Sequence, residues 1–105
     1  MELIHLTDKD FNEKINENKL VLVDFFATWC GPCRMQGPIL ERVKDALDDQ
    51  VEIYKLDVDE NKQTAKEYGV MSIPTLILFK NGKEVAKNVG LMSQDSVIDL
   101  IENNK

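Results

Sequence analysis

The sequence predicts an α/β domain, a central mixed β-sheet with helices on both faces, and three observations carry that prediction. Apolar segments of strand length alternate with segments of helical periodicity, in the order βαβαβαββα. One strand segment, Leu20 to Ala27, is apolar at both parities, as in a strand covered on both sides. The last two strand segments flank Asn81-Gly82, the strongest short-range hairpin signal, so an antiparallel pair closes a sheet whose other crossovers run through helices.

Taken in order, Ile4-His5-Leu6 reads as a short first strand. Thr7-Asp8-Lys9-Asp10 resembles a capping box that opens a helix with Phe11 and Ile15 on one face. After the central strand, Met35, Ile39, Val43 and Leu47 recur every four residues, so a long helix runs from near Cys30 to about Leu47 and buries that face. Pro38 falls inside it and is expected to kink it. Val51 to Val58 is a strand with Val51 and Ile53 on one face and Tyr54, Leu56 and Val58 on the other. A helix from about Asn61 to Tyr68 stops at Gly69, the residue type favoured just past a helix C-terminus. Thr75 to Phe79 and Glu84 to Val89 form the hairpin, and Ser93 caps a last helix whose Val97, Ile98 and Ile101 face the sheet.

The 105 residues fit a single domain, 1–105, with one core. Hydrophobic residues make up 43% and charged residues 30%, without a low-complexity block that would suggest a linker or disordered tail, and without an internal repeat. No stretch approaches the ~18 consecutive apolar residues of a membrane span. Met1-Glu2-Leu3-Ile4-His5 lacks the basic start and long apolar core of a signal peptide, so a soluble, cytoplasmic protein is expected. A net charge of −6 argues against nucleic acid or an anionic membrane as partner.

Trp29-Cys30-Gly31-Pro32-Cys33 holds both cysteines of the chain, two residues apart, between an apolar strand and a helical pattern. A disulfide there closes a very short loop and makes a poor structural staple, which leaves redox chemistry or metal binding. A helix N-terminus offers free N–H groups and the positive end of its dipole, and these favour a thiolate at Cys30. Cys33, one turn further in, is expected to be more buried and to resolve a mixed disulfide made by Cys30. Pro32 fits the first helical turn, and Gly31 leaves room for a substrate backbone. Asp24 stands in a doubly covered strand, where loss of water raises a carboxyl's proton affinity.

Beyond this motif, Val23-Asp24-Phe25, Lys55, Ile73-Pro74-Thr75, Lys80-Asn81-Gly82 and Val89-Gly90 fall at matching spacings, and over nearly its whole length the chain resembles the thioredoxin family. A lone CxxC is a weak signal, whereas this set is very specific. The resemblance implies the thioredoxin fold and a protein-disulfide reductase, with a redox-active Cys30–Cys33 disulfide. It implies catalytic roles for Cys30, Cys33, Asp24 and Lys55, the aspartate acting as base toward the buried cysteine through a water. It also implies a cis bond before Pro74, beside the dithiol, and a substrate groove of Trp29, Gly31, Pro32, Ile73, Pro74, Thr75, Val89 and Gly90. Further implications are no bound cofactor or metal, a monomer, disulfide-containing client proteins, and electrons supplied by a thioredoxin reductase drawing on NADPH through a flavin. Two positions depart from the family's usual residues: Phe26 stands where many members have tryptophan, and Gly37 where many have alanine; neither is expected to touch the thiol chemistry, and Gly37-Pro38 is expected to loosen the long helix.

Structural alternatives stand beside these roles. Asp24 and Lys55 could instead form a buried ion pair, and the groove residues could be ordinary sheet-end and turn positions. Trp29 either covers the dithiol or packs, and its place against the motif favours contact. Met35 and Met71 read as core or rim packing, and His5, far from the cysteines in sequence, as non-catalytic. Zinc needs four ligands, and two cysteines with one distant histidine could supply it only by sharing the metal between chains. A non-catalytic role as a subunit of a complex remains open beside the redox role.

Overall fold

A computed structural model describes residues 2–105. The elements are β1 (Ile4–His5), α1 (Phe11–Asn16), β2 (Leu20–Phe26), α2 (Gly31–Leu47), β3 (Glu52–Asp57), α3 (Lys62–Glu67), β4 (Thr75–Lys80), β5 (Lys83–Val89) and α4 (Gln94–Glu102), with a 3₁₀ turn at Asp48–Gln50 after α2. The five strands form one sheet in the order β1-β3-β2-β4-β5. The first three are mutually parallel, and β4 and β5 are antiparallel to their neighbours. This is the mixed sheet that the sequence predicts.

The wholly apolar character of β2, apart from Asp24, follows from its central place. Leu20 and Leu22 face a core with Leu40, Val43 and Leu47 of α2 and Val97 and Ile101 of α4. Val21, Val23 and Phe25 face the other core, where Phe11 and Ile15 of α1 meet Phe79 and the partly buried Tyr68. Phe11, Tyr68 and Phe79 lie with ring centroids 5.3–5.7 Å apart, two of the three pairs edge to face. The alternation predicted for β3 holds: Val51 and Ile53 belong to the first core, Tyr54 and Leu56 to the second, with Val58 packed against it.

Local signals shape the element ends. Thr7 and Asp10 make the reciprocal bonds of a capping box, Thr7 N–H donating to Asp10 Oδ1 at 2.8 Å and Asp10 N–H to Thr7 Oγ1 at 3.3 Å. The regular helix begins only after this turn, at Phe11. Asn81 and Gly82 both have positive φ, 53° and 80°, as a tight hairpin turn demands. Ser93 caps α4 by accepting from the Ser96 N–H at 3.2 Å.

The buried face of α2 differs from the expected one. It consists of Cys33, Gln36, Gly37, Leu40, Val43 and Leu47, while Met35 is exposed and Ile39 only half buried. The four-residue repeat drifts around a 3.6-residue helix, and the first turn is oriented by the cysteines and not by the apolar residues next to them. Met71, too, is exposed, at 96%, rather than packed. Pro38 lies within α2, which continues through it to Leu47.

Candidate active site

Parallel strands β2 and β3 end on the same side of the sheet, where crevices form in α/β proteins, and the cysteine motif leaves β2 at that end. Cys30 is the N-cap of α2, with an extended backbone, and Pro32 occupies the first turn. The two cysteines are joined as a disulfide, their Cα atoms 5.3 Å apart. The Cys33 N–H donates to Cys30 Sγ at 3.3 Å. The sulfur thus stands where a capping oxygen usually does, and the same N–H would stabilise a thiolate there after reduction.

Around the sulfurs, Phe26 and Ala27 form a small apolar cluster with both cysteines, flanked by Val58 and Ile73. Cys30 is 5% exposed and Cys33 2%, a smaller contrast than the sequence suggests. Access to Cys30 is governed by its rim, since Trp29, Gly31 and Pro32 are exposed. A Cβ built on Gly31 would meet nothing within 4 Å, so the rim is open at that position.

The Ile73–Pro74 bond is cis, and the Ile73 carbonyl lies 3.9 Å from Cys30 Sγ. The Pro74 carbonyl accepts from Gly90 N–H at 2.8 Å, and Thr75 pairs in register with Val89. Val89 and Gly90 therefore meet Thr75 and Pro74, next to the Ile73 that packs on the cysteines. Thr75 is wholly buried, its hydroxyl donating to the Ser72 carbonyl, so its side chain does not line the surface. Gly90 has φ of +103°, a conformation that a side chain would strain.

Asp24 sits two residues before Phe26 on the same face of β2 and is completely buried. Neither of its carboxyl oxygens has a hydrogen-bond partner among the described residues. Burial pushes its pKa up from 3.8 to about 7, against a lowering pull from the Lys55 charge. Lys55 lies directly across in register on β3, yet its Nζ sits 4.3 Å from the centroid of the Phe26 ring. Neither Asp24 oxygen is reached by the lysine, so the alternative of a close, hydrogen-bonded Asp24–Lys55 pair does not hold. His5 is also nearer than its sequence position suggests, meeting the Phe26 ring edge-on at 5.4 Å.

Three participants escaped the sequence reading. The Trp29 indole N–H donates to Asp59 Oδ2 at 2.8 Å, which fixes the exposed ring beside the disulfide. Asp59 follows β3 as Trp29 follows β2, and the shared parallel ends were the signal that could have found it. Gln36, wholly buried on α2, accepts from Met92 N–H at 2.9 Å and donates to its carbonyl at 3.1 Å. Phe26 is the third, as the common floor of the cysteines, His5 and Lys55. Among the described residues no group of three or more His, Cys, Asp or Glu side chains is placed to hold a metal, and no helix is long and apolar enough to cross a membrane.

An apposed cysteine pair at a helix N-terminus on this sheet defines a thiol-disulfide oxidoreductase. A family model described as Thioredoxin matches residues 2–103. A thioredoxin of Staphylococcus epidermidis is 49% identical over 102 residues, and one of Staphylococcus aureus 47%, each alignment covering 97% of both chains. Mitochondrial thioredoxin 3 from Saccharomyces cerevisiae, in its oxidized form, superposes with a TM-score of 0.88 at 36% identity, over 96% of this chain and 94% of that one. A mutant thioredoxin from Halobacterium salinarum gives 0.87 at 40% identity, over 96% and 88%. The chain belongs to the thioredoxin family. It reduces protein disulfides by dithiol-disulfide exchange at Cys30 and Cys33.

Proposed function

We propose that the two thiols divide the exchange between them, with Cys30 as nucleophile and Cys33 as resolver. The Cys30 thiolate attacks one sulfur of a client disulfide, forming a mixed disulfide and releasing the client's other sulfur as thiolate. Cys33 then gives its proton to Asp24 and attacks the Cys30 sulfur, which expels the second client thiolate and leaves the Cys30–Cys33 disulfide. The observation that carries this reading is the capping position of Cys30, whose sulfur accepts a backbone N–H while that of Cys33 lies inside the first turn.

A client backbone lies along Ile73 and Pro74, ahead of the point where Thr75 enters the sheet, as an added strand bounded by Trp29, Gly31 and Pro32 on one side and Val89 and Gly90 on the other. The open space over Gly31 and the Ile73 carbonyl near Cys30 support that placement. Lys55 tunes the proton affinity of Asp24 electrostatically. The protein works as a single-domain monomer in the cytoplasm, carrying electrons and binding no cofactor, and a thioredoxin reductase recharges it with electrons from NADPH passed through a flavin.

Immobilised single-cysteine variants test the assignment. Cys33→Ser retains an activated Cys30 and should accumulate client proteins from a cell extract as mixed disulfides that dithiothreitol releases. Cys30→Ser should retain almost none. Equal yields from the two columns would overturn the division of labour.

A further inference from the structure

A polar row crosses three strands of the sheet. His5 lies opposite Lys55 between β1 and β3, and Lys55 opposite Asp24 between β3 and β2. Asp24 shares the α2-facing side of its strand with Leu20 and Leu22, as Lys55 shares that side of its own with Ile53. Opposite charges so placed in a dry interior attract strongly. The lysine nevertheless leaves both carboxyl oxygens without a partner. Its ammonium rests 4.3 Å from the Phe26 ring centroid, and a methyl group at Gly37 would stand 3.3 Å from Nζ. Beyond the ammonium, toward the β1 edge, a cavity of about 190 Å³ is lined by Glu2, Leu3, His5, Glu41 and Lys55. The two positions at which the chain departs from the family's usual residues thus converge on this one amine.

We propose that Phe26 and Gly37 are positioning residues of the exchange reaction: the ring holds the Lys55 ammonium off the Asp24 carboxyl, and the missing side chain at Gly37 leaves it room to stay on the ring instead of being pushed away toward β1. That carboxyl is then free to take a proton from Cys33 and return it. A lysine in contact would hold Asp24 ionised, since an opposite charge within 4–6 Å lowers a carboxyl's pKa by about one to three pH units. Removing the lysine altogether would leave Asp24 protonated to higher pH. The remaining groups about Asp24 and Lys55 come from three sides. β4 opposes Asp24 with Leu76, α2 brings the cysteines, and His5, Glu2 and Glu41 face Lys55 across the edge cavity.

The inference rests on the reading of Asp24 as proton acceptor for Cys33, and its test is independent of turnover. The titration midpoint of the Asp24 carboxyl is followed by carbon NMR in the oxidised protein, where the cysteines do not titrate. Phe26→Leu should let the ammonium reach the carboxyl and lower the midpoint by about one pH unit, whereas Phe26→Trp, which keeps a ring, should leave it in place. Gly37→Ala should drive the ammonium into the edge cavity and raise the midpoint toward the value in Lys55→Met. In the Lys55→Met background neither change should move it further. A midpoint unmoved by Phe26→Leu or by Gly37→Ala, or shifts that persist without the lysine, would overturn the proposal. Gly37→Ala suits the helix and keeps the test open where Phe26→Leu does not fold. Should these shifts appear while Asp24→Asn turns over normally, the seating of Lys55 stands and the role of Asp24 as proton acceptor falls.

Discussion

Asp24 combines complete burial, two unpartnered oxygens and a pKa raised to about 7, so its folded state binds protons that the unfolded chain, near 3.8, has released. The stability this contributes is fully present below about pH 4 and is lost as pH rises through about 7. Three pH units correspond to a loss on the order of 4 kcal/mol, at 1.36 kcal/mol for each. Asp24→Asn should flatten that profile in urea unfolding measured from pH 5 to 8, and should be the more stable protein at pH 8. Its turnover should fall, mainly in the attack of Cys33 on the mixed disulfide, as stopped-flow with a model disulfide would reveal. A second residue-scale test uses the chain's single tryptophan. Asp59→Ala removes the acceptor of the Trp29 indole, so fluorescence anisotropy should drop while thermal stability hardly changes. A rigid indole in that variant would show that packing alone holds the ring.

Among the elements, α2 is tied down by the pair of bonds between Gln36 and the Met92 backbone, which bridge it to the segment between β5 and α4. This amide replaces a water shell for two backbone groups at once. Gln36→Ala should cost about 2–3 kcal/mol in chemical denaturation, because it strands a donor and an acceptor and leaves a small void. Gln36→Glu should recover only the half of the bridge that accepts from Met92. The same helix shows why local periodicity misjudged its face. Cys33, Gln36 and Gly37 face inward because the disulfide, the Met92 backbone and Lys55 are there, the last two distant in sequence and none of them visible in a hydropathy pattern.

For the molecule as a whole, the disulfide is a reaction product more than a brace. It links residues three apart in sequence, and closing so short a loop contributes about 2 kcal/mol through the unfolded chain. Reduction should therefore lower Tm by roughly 10 °C without unfolding the protein at room temperature. Calorimetry of the oxidised and reduced forms measures this. Unfolding on reduction at room temperature would make the bond a structural one. The sheet keeps the site standing in either state, since the two apolar cores on its faces do not include the cysteines.

The sequence alone determined whatever short-range physics controls. The doubly apolar Leu20–Phe26 strand, the positive-φ turn at Asn81-Gly82, the caps at Thr7 and Ser93 and the dithiol at a helix start each depend on neighbours within a few residues. The tertiary structure decided what long-range register controls. It set Lys55 on a ring instead of on Asp24, brought His5 to the same ring, hung Trp29 on Asp59, and turned Thr75 inward while Pro74 bonded to Gly90. Those choices arise from strand pairing between segments some 15 to 50 residues apart, as in the row His5, Lys55, Asp24. A side chain's charge and size are written in the sequence, but which of two attractive partners it meets depends on the space that the folded neighbours leave.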